Sequence, residues 1–243
     1  MRKLFLMFVM FLGVLVSAQT FQIGISGNNP ILFGDITETD LSNPSAGYVM
    51  SANGSNFDFM YYTPKNWGFG FRANYTAYIK DIDLYKEDLL NNLGVNDSNM
   101  IMQSLYTYRY FGFQIGASHN FKIKGKFNIE PYLFFGAGAF ISPMEEATYF
   151  KDGQTFTRKK TVTGFASVNY SPGVRFQWNL VDGHLGLSLY IEYNGIALES
   201  WEEETVTYTA NSFNKTSNTK SYNISAVNIG GGISYRFGNG LNE

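Results

Sequence analysis

The chain contains no cysteine. Disulfides, a thiolate nucleophile and cysteine-ligated metals are therefore excluded, and stability must come from a core or a sheet. After Val16 no apolar run approaches the about 20 residues that a membrane helix needs. Any membrane crossing must then be made by a closed barrel, because lipid leaves no other way to satisfy the backbone. Basic excess is missing too: 18 Lys and Arg stand against 20 Asp and Glu, for a formal net charge of −2. No basic stripe points to nucleic acid or to an anionic membrane surface. Histidine is scarce, with only His119 and His184.

What is present begins with a leader. Arg2 and Lys3 precede the apolar run Leu4 to Val16, and small residues follow at Ser17 and Ala18. This pattern predicts a secretory signal peptide over residues 1–18 and a single mature domain over 19–243. Loss of Arg2 and Lys3 takes the net charge to −4.

The mature part is written in segments of alternating character. In Trp67-Gly68-Phe69-Gly70-Phe71-Arg72-Ala73-Asn74-Tyr75-Thr76-Ala77 the odd positions are apolar or aromatic, and the even ones are glycine or polar. A period of two places each set on one face of a sheet. The same pattern recurs around Phe111–Ser118, Tyr132–Ala139, Val174–Trp178, Leu185–Asn194 and Val227–Phe237. Two shorter candidates lie at Phe21–Ser26 and Phe57–Tyr62, which makes eight. Ser171-Pro172-Gly173 predicts a bulge or phase shift in the sixth strand, since proline removes a ladder bond.

Connections alternate strictly between long and short. Thr63–Asn66, Lys122–Lys126 and Val181–His184 read as tight turns. Asn28–Gly47, Asp81–Gln103, Pro143–Lys160 and Leu198–Ser221 are long and rich in Asn, Ser, Thr, Asp and Glu. Four long loops thus sit on one side of the sheet and three turns on the other. Within the second long segment Tyr85, Leu89 and Leu93 fall four apart, which predicts a helix opened by Asp83 and closed by Gly94. The alternative there is a folded-over loop with no partner. The expected fold is all-β: an eight-stranded antiparallel up-and-down transmembrane barrel with long extracellular loops and short periplasmic turns.

Which face holds the charges separates a soluble barrel from a membrane one. Asp58, Arg72, Glu130, Arg175, Glu192 and Arg236 share the polar face, on six different strands, opposite a face of Ile, Leu, Val, Phe and Ala. An Arg facing lipid at the midplane costs about 2–4 kcal/mol, so the charged face must line the lumen. Eight strands leave an interior that side chains fill. A mixed carboxylate–guanidinium network that plugs the lumen is expected, because buried charges must be paired. Trp67 and Trp178 flank short turns, and Trp201 lies past the last lipid-facing residue at the other end, as interface anchors would.

Pro131-Tyr132-Leu133-Phe134-Phe135-Gly136-Ala137-Gly138, Ser171–Phe176 and the ending Gly232-Ile233-Ser234-Tyr235-Arg236-Phe237 resemble the small outer-membrane β-barrel family of Gram-negative bacteria, the OmpA/OmpX-like group. The resemblance implies residence in the bacterial outer membrane, with lipid and the barrel assembly machinery as partners. It also implies that Tyr235 and Phe237 act as a terminal-strand signal; here the chain continues from Gly238 to Glu243. It does not imply one activity.

No catalytic, cofactor or metal site is expected. Both histidines map to the turn side, without a Ser and acid partner. The acids Glu199, Glu202, Glu203 and Glu204 lack the spacing of a calcium loop. Gly136-Ala137-Gly138 precedes no helix, as a nucleotide-binding loop would. The expected role is structural or surface-interacting, through the long loops and an external or envelope partner. The alternatives are a small channel and a subunit of an envelope secretion or assembly complex.

Overall fold

Alternation of apolar and polar residues over 13 to 16 positions produces the barrel wall. The protein is seen in a computed structural model that describes residues 20–41, 46–104, 107–142, 145–163, 167–180, 184–198, 201–210, 212–220 and 223–238. The expected leader over 1–18, turn residues 181–183 and the tail from 239 lie outside the described residues. In chain order the strands are β1 (Thr20–Gly34), β2 (Val49–Tyr62), β3 (Trp67–Lys80), β4 (Met100–Ser104), β5 (Thr107–His119), β6 (Phe121–Lys124), β7 (Phe127–Ile141), β8 (Glu145–Lys151), β9 (Gln154–Thr163), β10 (Ser167–Asn179), β11 (Leu185–Leu198), β12 (Trp201–Tyr208), β13 (Phe213–Lys220) and β14 (Asn223–Gly238). One α-helix, α1 (Ile82–Leu93), follows β3.

Eight of these strands close a barrel. β1, β2, β3, β5, β7, β10, β11 and β14 pair antiparallel in that order, and β14 returns to β1. The seam is long, from Thr20↔Gly238 to Gly34↔Ile224. Phe21 stacks on Phe237 across it, with ring centroids 5.5 Å apart. Each of these eight strands exceeds the about 9–11 residues needed to cross a bilayer. Glycine permits close approach within the wall: a Cβ on Gly136 would sit 1.9 Å from the Phe113 carbonyl oxygen of the neighbouring strand.

The strands run past the segments their alternation predicts, and β1 and β2 show why. β1 runs past Ser26 because Asn28 points into the lumen and donates to the Tyr190 hydroxyl at 3.0 Å. Its pairing with β2 ends at Asn28↔Gly54, while pairing with β14 continues. Pro30 therefore falls where β1 has no β2 partner, and its missing N–H breaks no ladder on that side. β2 begins at Val49; its register is unbroken from Ser51 to Tyr62, but the exposed positions Ser51, Asn53 and Ser55 are polar, so the apolar–polar period is hidden there, and a bulge lies between Val49 and Ser51. The predicted irregularity at Pro172 is overturned. β10 keeps one register with β7 through Ser171↔Phe134 and Pro172↔Leu133, and with β11 it resumes unchanged at Gly173↔Glu192. Proline interrupts the ladder on one side only and shifts nothing.

The larger departure lies in the long segments, which are folded rather than irregular. β4, β8, β9, β12 and β13 form a second sheet in the order β13-β12-β9-β8-β4. Helix α1 packs Tyr85 and Leu89 against Met100, Ala147 and Tyr149, giving the loops their own core. Its N-cap is Asp81, whose side chain accepts from Leu84 N at 3.0 Å; Asp83 lies in the first turn instead. Gly94 closes the helix in the left-handed conformation, φ 64°. We call this unit the platform.

Candidate functional site

The six lumen charges are all buried, and five of them join in one chain of contacts. Arg72, 1% exposed, donates from Nε to Asp58 Oδ1 at 2.7 Å and from Nη1 to Glu192 Oε2. Arg175 donates from Nη2 to the other Asp58 oxygen and from Nη1 to Glu130 Oε2 at 3.5 Å. The order is Glu192–Arg72–Asp58–Arg175–Glu130, and it links β11, β3, β2, β10 and β7. Remaining lone pairs are taken by Tyr62 OH on Glu130 (2.5 Å), Tyr132 OH on Glu192 (3.0 Å) and Asn228 Nδ2 on Glu192 (3.1 Å). The Arg72 guanidinium also lies 4.3 Å from the Phe134 ring centroid.

Arg236 stands apart from this chain. It donates to Gln22 Oε1 and Gln177 Oε1, each at 2.7 Å, and packs over Tyr62. Three acids and three arginines make the lumen neutral in sum. Beside Asp58 and Arg175 there is a void of about 10 Å³, room for at most one water molecule.

Toward the loop end the interior changes character. Ala52, Tyr78, Tyr108, Tyr110, Phe140, Ile196 and Ile224 pack together, and Ile36 joins them from a short 3-10 helix, Asp35–Thr37. The lining is thus not polar throughout: ions occupy its middle, and apolar side chains pack together toward the loop end. The exterior is the converse, with Phe113, Ile115, Val168, Leu189 and Ile233 all more than half exposed. Among the described residues no helix is long and apolar enough to cross a membrane. The wall, apolar outside and ionic at mid-lumen, has the arrangement of a transmembrane barrel.

A second buried ion pair joins the platform to the barrel rim. Lys80, the last residue of β3, contacts Glu145 at the start of β8, and both are nearly inaccessible. The Lys80 ammonium sits 3.3 Å from the Tyr85 ring centroid on α1. Tyr48 donates to Asp88 at 2.7 Å and stacks edge-on against Tyr85. Burial alone raises the Glu145 carboxyl, but Lys160 and Lys80 outweigh it and hold it at about 2, against an ordinary 4.5. The folded value is the lower one. Its contribution, on the order of 3 kcal/mol, is therefore complete above about pH 4.5 and is lost as pH falls toward 2. Amide protection factors in α1 and β8 should hold at pH 5 and drop toward pH 2. In Glu145→Gln they should start lower and change little over that range.

The other expected residues are placed as follows. Trp67 and Trp178 are exposed on the wall at the turn end. Trp201 opens β12 of the second sheet, paired with Lys220, and its side chain lies outside the described residues. Tyr235 and Phe237 flank Arg236 on β14, stacked 6.4 Å apart beside the seam. His119 packs against Trp67 and Phe121, and His184 Nδ1 lies 2.9 Å from the Arg236 carbonyl oxygen. Glu204 pairs with Lys215 across β12 and β13; Glu199 and the side chains of Glu202 and Glu203 lie outside the described residues. Among the described residues no group of three or more acids and histidines is poised for a metal.

Sequence reasoning missed the platform and the Lys80–Glu145 pair. One signal was available. Asp152-Gly153 sits between β8 and β9 with φ of 51° and 76°, the dipeptide and backbone of a tight hairpin turn.

No family model matches the chain, and no curated protein is similar to it in sequence. Solved structures do resemble it in fold. A major outer membrane protein from Thermus thermophilus is 10% identical, with 89% of this chain and 99% of that one covered, at a TM-score of 0.46. Ail, the attachment invasion locus protein of Yersinia pestis, is 16% identical, with 90% and 99% covered, at 0.41. The outer membrane protease OmpT from Escherichia coli is 11% identical, with 91% and 97% covered, at 0.40. At these identities the likeness is one of fold.

Proposed function

We propose that this small outer-membrane β-barrel is a non-conducting surface-interaction protein, in which the barrel anchors and the platform meets an external or envelope partner. The observation that carries the reading is the fold of the long segments. They form a helix and a five-stranded sheet around a core of their own, tied to the rim by a buried ion pair. Loops without a task need no such organisation, and binding residues tend to be presented on connections above a rigid scaffold.

Two further features support the reading, one for the anchor and one for the contact surface. The ionic network and the apolar cluster around Ile36 occupy the middle and the outer part of the interior, as an eight-stranded wall allows. At the hairpin tips, Phe150 and the cross-strand pair Tyr208 and Phe213 are exposed. Aromatic side chains are enriched at protein interfaces, which suits a contact surface. The reading assigns no catalysis, since both histidines lie at the turn end, away from the platform.

Deletion of residues 201–220 removes β12 and β13 and leaves β9 as the sheet edge. The expected product is still a heat-modifiable, membrane-inserted barrel that has lost partner capture. A barrel that no longer inserts would contradict this division of labour. Planar bilayers holding the purified wild type should show no steady current. A current that responds to charge reversal at Arg72 or Arg175 would overturn the non-conducting part.

A further inference from the structure

The lipid-facing wall is not evenly convex. Near the turn end, between β2 and β7, it carries a groove of about 840 Å³, within the about 300–1,000 Å³ typical of ligand sites. Ala117 adds little to the outer wall there, while Phe59, Phe71, Ile115, Leu133 and Phe135 stand up around it. The aromatic side is ordered: Phe59 stacks on Phe71 at 5.3 Å and lies 5.9 Å from Phe21. Two further hollows continue it toward the periplasm. One is shaped by Thr63, Pro64, Lys65 and Trp67 and shares Phe69 with the groove. The other includes Trp67, His119 and Phe121 and shares Ala117 and Leu133 with it.

Charge distinguishes this end of the barrel, although the sequence as a whole is mildly acidic. The Thr63–Asn66 turn carries Lys65, and residues 121–127 carry Lys122, Lys124 and Lys126; neither segment contains an acid. The two are held together by Asn120 N donating to Asn66 O at 2.9 Å. Lys65 is exposed and makes no ion pair among the described residues. The result is an apolar channel open to hydrocarbon that ends in cations and an indole at headgroup depth.

We propose that this groove is a binding site for one anionic phospholipid of the periplasmic leaflet. An acyl chain lies over Ala117, and the phosphate sits at Lys65 and Trp67. The proposal rests on the membrane orientation of the wall. The chain selects by shape: Phe59 and Phe71 stand on one side, Leu133 and Phe135 on the other, and Ile115, paired with both Phe71 and Phe135, bounds the hollow over Ala117 away from the turn end. The headgroup selects by charge, with the lysines of the two turns favouring an anionic phosphate ester over a zwitterionic one.

The test is native mass spectrometry of the full chain in detergent, with equimolar phosphatidylglycerol and phosphatidylethanolamine. Wild type should retain a single saturable phosphatidylglycerol adduct. Ala117→Trp fills the groove from the lipid side and should lower retention of either lipid about tenfold, the loss expected from excluding two or so buried methylenes. Lys65→Gln should lower the preference for the anionic lipid and leave total retention closer to wild type. Leu189→Trp, on the wall away from the groove, should change neither. Equal retention by wild type and A117W, an unsaturable series of adducts without headgroup preference, or equal loss in L189W would overturn the site. So would A117W converting a dimer to a monomer with lipid adducts unchanged, which would seat a second copy of the barrel there. Liposome flotation of the same proteins reads the membrane orientation separately. Protein that floats yet shows any of these results fails the groove alone.

Discussion

Arg72→Met should lower the unfolding free energy of the micelle-bound barrel by about 3–5 kcal/mol. Among the described residues, Arg72 alone contacts both Asp58 and Glu192. Methionine keeps much of the volume over Phe134 but leaves Glu192 with only Tyr132 and Asn228, and Asp58 with only Arg175. A carboxylate, Glu192, left without its cation in a low-dielectric interior is what makes the loss large. A typical domain has only about 5–15 kcal/mol in hand, so the shift is a sizeable share of the total. Equilibrium denaturation followed by tryptophan fluorescence measures it. Arg236→Met is the internal comparison: its partners are the neutral amides of Gln22 and Gln177, and the expected loss is about 1.5–3 kcal/mol. Equal losses at the two sites would mean that the linked ions contribute nothing beyond ordinary hydrogen bonds.

The second large effect belongs to the platform. Lys80→Met strands Glu145 among Tyr48, Tyr85 and the aromatic core, with Lys160 3.9 Å away as its remaining cation. Breaking a buried pair from one side costs about 3–5 kcal/mol, more than a small loop unit can absorb. We expect α1 and β8 to lose amide protection and to be cleaved by added protease, while the barrel band on an unheated gel stays put. Lys86→Met is the contrast. Its pair with Asp97 at 2.5 Å is largely exposed and should be worth less than about 1 kcal/mol. If K80M melted the whole barrel, the platform would be an integral part of the wall rather than a unit seated on it.

The barrel was legible because lipid outside and ions inside impose strict alternation. Trp67–Ala77 and Leu185–Asn194 show this period directly, and the turn signals between them count the crossings. Where structure relaxes the rule, the sequence goes quiet. β1 beyond Ser26 reads Gly-Asn-Asn-Pro, which is loop composition. It is strand because Asn28 finds Tyr190 and because β14 alone carries the ladder there. β9 and β13 carry Thr, Lys, Asn and Ser on both faces, so a sheet solvated on one side and edged by water gives no two-residue period. The lumen charges were legible as a set because each sits on a polar face. Their wiring was not, since register between strands far apart in sequence decides that Arg175 meets Asp58 and that Arg236 meets amides. Glu145 looked like one more loop acid; only its position opposite Lys80 makes it structural.

Which face of the wall meets hydrocarbon decides whether the barrel spans a membrane. Because the chain has no native thiol, Leu189→Cys gives a unique attachment point for a spin label, on a residue 69% exposed on the outer wall. In liposomes, that label should relax with molecular oxygen and ignore a water-soluble nickel chelate. A label at Lys159→Cys on the platform should do the reverse. A Leu189 label as accessible to nickel as the platform label would show the apolar face in water, and the membrane-spanning barrel would be ruled out.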